Sequence, residues 1–242
     1  MGGLGREIPG SYAEYVCVEQ KNVRSIPETK SLSIAELASL PEMLQTTWGC
    51  LTAGLDLRAG ESVLIRGSTS SIGLCAIQLA RKLGATRIAG TTRNSAREQM
   101  LRNGGADEVY VDEGELASTV GASSNGPFDK ILELVGTSTL KDSLKCVRSG
   151  GTVCMAGIQG GEWELRSFTP FTDLPNRARL CAYGGGPDDF HAMPWEELVK
   201  DADEGHFRVP IKAFKLEQIQ EVHEILESGG GGSKMVVVVA EE

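Results

Sequence analysis

Gly67 and Gly73 enclose a run of small residues and one isoleucine, Ser68-Thr69-Ser70-Ser71-Ile72. Residues of this kind suit one chemistry above others: they let backbone N–H groups close around a phosphate. Val63, Leu64 and Ile65 before the run are the short apolar stretch of a strand covered on both faces. After it, Ile72, Ala76, Leu79, Ala80 and Leu83 recur at helical spacing, and Gly84 stands where a left-handed helix stop is needed. A helix opening from such a turn presents unpaired amides and a positive dipole end. Gly67, Ser70, Ser71, Ile72 and Gly73 are therefore assigned to a dinucleotide pyrophosphate. Ser70 and Ser71 occupy places where a middle glycine is common; a hydroxyl could donate to phosphate, but its Cβ crowds the backbone. Taken alone, the turn supports a phosphate site and a plain structural turn equally.

The elements that must position this turn repeat along the chain. Arg87–Thr91, Glu108–Val111 and Phe128–Val135 read as further strands, and residues 150–157 repeat the form of a strand ending in glycine. Strands alternating with helices predict a parallel sheet with right-handed crossovers, whose ligands sit at the carboxyl ends. Gly67, Gly136 and Gly157 all fall at those ends, which favours dinucleotide binding. From Arg87 to Arg97 there is no acid, whereas Arg93 and Arg97 bring charge and Thr91, Thr92 and Ser95 bring hydroxyls. A carboxylate there would hold ribose hydroxyls and repel a 2′-phosphate; arginine does the reverse. The composition of this stretch predicts NADPH rather than NADH, with Arg93 as the chief contact. Arg97 as a solvated helix residue paired with a nearby glutamate is the competing reading.

Composition excludes several classes. The 242 residues carry a net charge of −9, with acids spread along the chain, which argues against nucleic acid or an anionic membrane as partner. No apolar run reaches membrane-span length and no signal pattern opens the chain, so a cytoplasmic location is the default expectation. The six cysteines form no Cys-x-x-Cys pair and, for the most part, sit inside apolar elements as buried thiols. His191, His206 and His223 share no ligand spacing with them, so no metal site is expected.

The two ends break the alternation. Residues 10–18 read as a strand, exposed and then buried, and Ser33 with Glu36 as a capping box for a short helix over Ile34–Leu40. Residues 41–51 read as a second helix. Beyond residue 186, Glu196–Asp203 and Leu216–Ser228 are helical, Gly229–Gly232 is a hairpin tip or linker, and Met235–Val239 is a last buried strand.

Together these residues resemble the medium-chain dehydrogenase/reductase superfamily, in its zinc-independent quinone oxidoreductase branch. The resemblance spans essentially the whole chain. It rests on the order and spacing of Gly-Ser-Tyr-Ala-Glu-Tyr at 10–15, Leu-Pro-Glu-Met-Leu-Gln-Thr-Thr-Trp at 40–48 and Leu-Ile-Arg-Gly-Ser-Thr-Ser-Ser-Ile-Gly at 64–73. Leu-Val-Gly at 134–136, Gly-Gly-Thr-Val-Cys-Met-Ala-Gly at 150–157 and Lys-Met-Val-Val-Val-Val at 234–239 complete it.

The resemblance implies an α/β fold: a Rossmann doubly wound parallel sheet over 40–184, flanked by a partial GroES-like β-rich domain made from 1–39 and 185–242. It places Thr46 beside the nicotinamide carboxamide, and Leu134, Val135 and Gly157 along the nicotinamide. Thr92, Arg93 and Arg97 fall near the 2′-phosphate. An ordinary helix threonine bonding its own backbone is the other reading of Thr46. The implied activity is NADPH-dependent hydride transfer to a quinone or α,β-unsaturated carbonyl compound, in a homodimer joined through strand 179–183. No catalytic acid or base is identifiable. Family members carry most of the GroES-like barrel ahead of residues 10–15; here nine residues precede them, so Val16–Val18 and Val236–Val239 are expected to lack pairing partners. That shortness keeps a second function open, a non-catalytic NADPH-binding module or partner subunit. A zinc alcohol dehydrogenase is disfavoured because no ligand set is visible.

Overall fold

The computed structural model describes residues 4–5, 8–229 and 232–239. The chain divides into two compact units, 47–184 and the combination of 1–46 with 185–242.

The 47–184 unit is built on β1 (Ser62–Arg66), β2 (Arg87–Thr92), β3 (Glu108–Val111), β4 (Phe128–Glu133), β5 (Val147–Met155) and β6 (Arg179–Ala182). All pair in parallel, in the order β3-β2-β1-β4-β5-β6. The crossovers carry α2 (Ser71–Lys82), α3 (Glu98–Asn103), α4 (Ala117–Ala122), α5 (Thr137–Cys146) and α6 (Pro170–Asp173). Chain order reverses between β1 and β4, so the loops leaving these neighbours diverge and open a crevice at their carboxyl ends. Apolar runs at 63–65 and 131–132 become buried strands because helices cover the sheet. Leu64, Phe128, Ile131 and Val153 pack with Leu116, Val120, Leu140 and Leu144 in one core. Gly84 follows α2 with φ +87°, the left-handed stop anticipated there, and Gly105 follows α3 with φ +102°. At the close of the unit, a Cβ on Gly49 would lie 1.9 Å from the Tyr183 hydroxyl, so its first and last segments adjoin.

The amino-end rim of the sheet is tied by Glu108. Its carboxylate accepts from Arg87 Nε at 2.8 Å and Nη2 at 3.0 Å, from the Tyr110 hydroxyl at 2.6 Å and from Asn125 Nδ2 at 2.9 Å. The Arg87 bonds come first in lowering its pKa from 4.5 to about 2, against partial burial. A depressed carboxyl pKa gives stability that is present above the unfolded value and lost as pH falls through the folded one. Glu108→Gln should therefore cost roughly 1–2 kcal/mol at pH 7. Urea midpoints of variant and wild type should converge between pH 4.5 and about 2; a gap that ignores pH would refute the assignment.

In the other unit begins α1, which runs from Ile34 to Gly49 without a break and so ends within 47–184. The capping box at its start forms: Ser33 N donates to Glu36 Oε2 at 2.9 Å, and Glu36 N to Ser33 Oγ at 3.3 Å. The expected division into two helices at Pro41 does not occur. Pro41 removes one backbone bond, but Leu40, Met43 and Leu44 are buried on the same face, and that packing keeps the helix continuous. Residues 10–18 are not a strand: they are irregular, with bends at 11, 13 and 14, exposed, Tyr15 to 91%, and pair with no strand among the described residues. The apolar run at 15–18 was present, but a strand exists only with a partner. Downstream lie α7 (Pro187–Ala192), α8 (Trp195–Asp203), β7 (Ile211–Lys215), α9 (Ile219–Glu227) and β8 (Lys234–Val238). β7 and β8 form a two-stranded parallel sheet. Trp195 is buried and donates to the Ser25 carbonyl at 2.9 Å, and Arg24 Nη2 donates to both oxygens of the Glu196 carboxylate. Of the glycine run at 229–232, Gly230 and Gly231 lie outside the described residues.

Candidate dinucleotide site

The turn after β1 is held by its own hydroxyls. Gly67 adopts φ +82°, which a glycine takes without strain. Ser70 is the N-cap of α2: its Oγ accepts from Gly73 N at 3.1 Å and donates to the Gly67 carbonyl at 2.9 Å. The Ser70 hydroxyl proton is thus committed inside the turn. Leu74 N bonds the Ser70 carbonyl, so the first turn of α2 leaves the amides of Ser71 and Ile72 without an intrahelical acceptor. Amides left open in this way at a helix start suit an anion. Ser68 is buried and bridges the next strand, donating to Thr91 O at 2.8 Å and accepting from Thr91 N at 2.6 Å. Gly67 N donates to Thr91 Oγ1 at 3.0 Å. A Cβ on Gly73 would lie 2.4 Å from Ser68 Cα, so only glycine lets the helix approach the turn.

Beyond β2, Thr92 Oγ1 accepts from Asn94 N at 3.1 Å and donates to Asn94 O at 3.0 Å, while Asn94 Oδ1 accepts from Ala96 N at 3.0 Å. These bonds fold the chain over at Arg93, which is exposed and has no ion-pair partner among the described residues. Arg97 is half-buried in the following helical turn.

Leu134, Val135 and Gly157 also converge on the glycine turn. A Cβ on Gly67 would meet Leu134 Cβ at 3.2 Å and Val135 Cγ2 at 3.4 Å. One on Gly157 would meet the Leu134 carbonyl oxygen at 2.2 Å. The carboxyl ends of β1, β4 and β5 therefore approach to backbone distance. Gly136 has φ +114° and ψ −154°, a conformation essentially confined to glycine. Val135 O accepts from Gly160 N at 2.7 Å.

Behind this floor lies a buried ionic cluster that sequence reasoning missed. Arg66 has no solvent exposure. It donates to Asp112 Oδ2 and Oδ1 at 2.8 and 2.9 Å, to Asp142 Oδ2 at 2.8 Å, to Ser143 Oγ at 3.0 Å and to Thr139 O at 3.1 Å. Burial works against its charge, yet the bonds and charge of Asp112, with Glu133 and Asp142, raise its pKa further. Glu133, its in-register neighbour on β4, is equally buried, and burial pushes its carboxyl above the ordinary range against the bonds it receives. The signal in the sequence was a charged residue at the end of an apolar strand, at 66 and again at 133.

Thr46 belongs to the other unit, half-buried, with Oγ1 3.4 Å from Glu42 Oε1. Cys146 and Cys154 are buried thiols pushed up to about 12, the first by burial and the second, against a lowering contact with Cys181, by its contact with Cys50 together with burial. Cys17, in contrast, is exposed.

A family model described as zinc-binding dehydrogenase matches residues 71–199, just over half of the chain. Quinone oxidoreductase of Pongo abelii is 25% identical over 241 residues, covering 96% of this chain and 70% of that protein. The crystal structure of AibC matches with a TM-score of 0.82 at 28% identity, over 98% of this chain and 65% of that one. Quinone oxidoreductase of Pseudomonas syringae pv. Tomato DC3000 shares the fold, with a TM-score of 0.83 at 20% identity over 95% of this chain and 72% of that one. The chain belongs to the zinc-binding dehydrogenase family of the medium-chain dehydrogenase/reductase superfamily and is quinone oxidoreductase-like. That oxidoreductase family works with a nicotinamide cofactor, NAD or NADP.

The residues present fit such a dinucleotide: two open amides at the start of α2, close approaches that exclude a Cβ at Gly73 and Gly157, and no acid from Arg87 to Arg97. Zinc is offered no ligand set, since no three His, Cys, Asp or Glu residues converge on a metal position among the described residues. No helix among them is long and apolar enough to cross a membrane.

Proposed function

We propose that the chain is an NADPH-dependent oxidoreductase acting on a quinone or an α,β-unsaturated carbonyl compound without zinc. The observation that carries the cofactor choice is the end of β2, where exposed Arg93 stands on a turn built by Thr92 and Asn94, with no acid from Arg87 to Arg97. The bound nicotinamide would supply hydride to an electron-poor carbon. The protein's part is to bind and orient. Ser71 and Ile72 amides receive the pyrophosphate, with Gly67, Ser70 and Gly73 shaping the turn around it. Thr92, Arg93 and Arg97 flank the 2′-phosphate. Leu134, Val135 and Gly157 form the floor under the ring, and Thr46 meets the carboxamide. Residues 1–39 and 185–242 are read as the partial GroES-like domain, and β6, an edge strand, as the dimer seam.

Titration with NADPH and NADH, followed by nicotinamide fluorescence, tests the reading. Arg93→Ala should weaken NADPH about tenfold or more and leave NADH nearly unchanged, because only the 2′-phosphate loses a charge-assisted partner. Absence of binding by either dinucleotide would overturn the function. Binding without NADPH oxidation across quinones and enones would favour the non-catalytic module, and stoichiometric zinc in the purified protein would overturn the metal-free part.

A further inference from the structure

Glu133 ends β4 one residue before the floor of the site, and its side chain is entirely buried. A carboxyl group out of reach of water must find its partners within the protein. Its Oε1 accepts two backbone amides in succession, Val135 N at 2.7 Å and Gly136 N at 3.0 Å. Its Oε2 lies 2.5 Å from Ser143 Oγ, which receives Arg66 Nη1 at 3.0 Å. Arg66 is in turn fixed by Asp112 and Asp142. An unbroken chain of hydrogen bonds therefore runs from the end of β3, through α5, to the turn at 135–136. The shape of that turn needs such support. Gly136 sits in a glycine-only conformation, and both amides would be orphaned without the Glu133 oxygen. The pyrophosphate and 2′-phosphate regions are held by other bonds, Ser70 to Gly73, Ser68 to Thr91 and Thr92 to Asn94, none of which involves Glu133.

We propose that Glu133 is a positioning residue for the nicotinamide half of the site, setting the Val135–Gly136 backbone on which the ring rests, with Ser143 and Arg66 holding its carboxyl group in place. The proposal rests on the dinucleotide reading above. It makes the two halves of the cofactor site separable, because one side chain governs only one of them.

The test compares full-length wild type, Glu133→Ala, Glu133→Asp and Glu133→Gln. The probes are NADPH and 2′-phospho-ADP-ribose, which is the same molecule without nicotinamide. Glu133→Ala should weaken NADPH by about tenfold or more, from two lost amide bonds, and abolish its fluorescence enhancement. Affinity for the fragment should stay within about twofold, since its contacts are untouched. Glu133→Gln should restore NADPH binding, because an amide oxygen still accepts both backbone N–H groups. Should Glu133→Ala fail to fold, Glu133→Asp carries the same expectation, its shorter arm being unable to reach both amides. NADPH binding unchanged in the alanine and aspartate variants, loss of both probes in proportion, or no rescue by glutamine would each overturn the proposal alone. A wild type that binds neither probe would overturn the dinucleotide reading, and the proposal with it.

Discussion

Arg66→Met is expected to lower the stability of the chain by about 3–5 kcal/mol, the usual cost of leaving buried charges without a partner. Whole domains are stable by only about 5–15 kcal/mol, so the loss would be a large fraction of the total. Arg66 satisfies Asp112, Asp142, Ser143 and the Thr139 carbonyl from a position with no solvent exposure. Methionine fills much of the same volume, which leaves the lost pairing rather than a cavity as the cause. Asp112 and Asp142 would face each other's charge in a poorly solvated pocket. Lysine should recover little, because a single ammonium cannot replace a fork bidentate to Asp112 while also bonding Asp142 and Ser143. Changing Asp112 to asparagine in the Arg66→Met background should return part of the loss. Urea unfolding of the three variants measures this; an Arg66→Met midpoint close to wild type would show that the cluster contributes little.

Gly73→Ala should be the most damaging single methyl group in the cofactor turn. The added Cβ would lie 2.4 Å from Ser68 Cα and 2.7 Å from its carbonyl carbon and oxygen. These are backbone atoms, and Ser68 cannot retreat while its hydroxyl holds both the amide and the carbonyl of Thr91. The helix must move instead, carrying away the Ser71 and Ile72 amides and straining the Ser70 cap. We expect a cost of about 1–3 kcal/mol in stability and a loss of roughly tenfold or more in NADPH affinity. Gly121 in α4 is the control: nothing lies within 4 Å of its added Cβ. Gly121→Ala should be neutral or stabilising by up to about 1 kcal/mol, since alanine is the better helix former. Calorimetry with NADPH titration separates the two substitutions, and equal behaviour would discredit the close approach at Gly73.

What the sequence made legible was local. Val63–Ile65, the helical spacing from Ile72, and the glycine at 84 each announce an element or its end within a few residues of where it forms. That Gly67, Gly136 and Gly157 fall together could be read because sheet topology dictates which strand ends meet, whereas Leu134 and Val135 were placed by the family resemblance. Ser70 was harder: no acid follows at Gly73 to complete a capping box, so its role as a cap was hidden behind the phosphate reading. Residues 10–18 carry a strand-like apolar run without a strand, because pairing is a property of two segments. The Arg66–Ser143–Glu133 chain escaped for a related reason. Its members are separated by most of the unit, and nothing in the neighbourhood of any one names the others.

The adjoining positions of Gly49 and Tyr183 bear on how the whole molecule reaches its native state. Residues 1–46 and 185–242 form one unit yet are separated by everything in between. Closing so long a loop from an unfolded chain costs roughly 3 kcal/mol more than closing one of a few residues. Once the 47–184 unit has folded, Gly49 and Tyr183 lie side by side, and the separation that the flanks must close shrinks to a few residues. Folding of the 47–184 unit therefore removes most of the loop-closure cost of joining the two flanks. In loop-closure entropy, the discontinuous unit is the dependent of the continuous one.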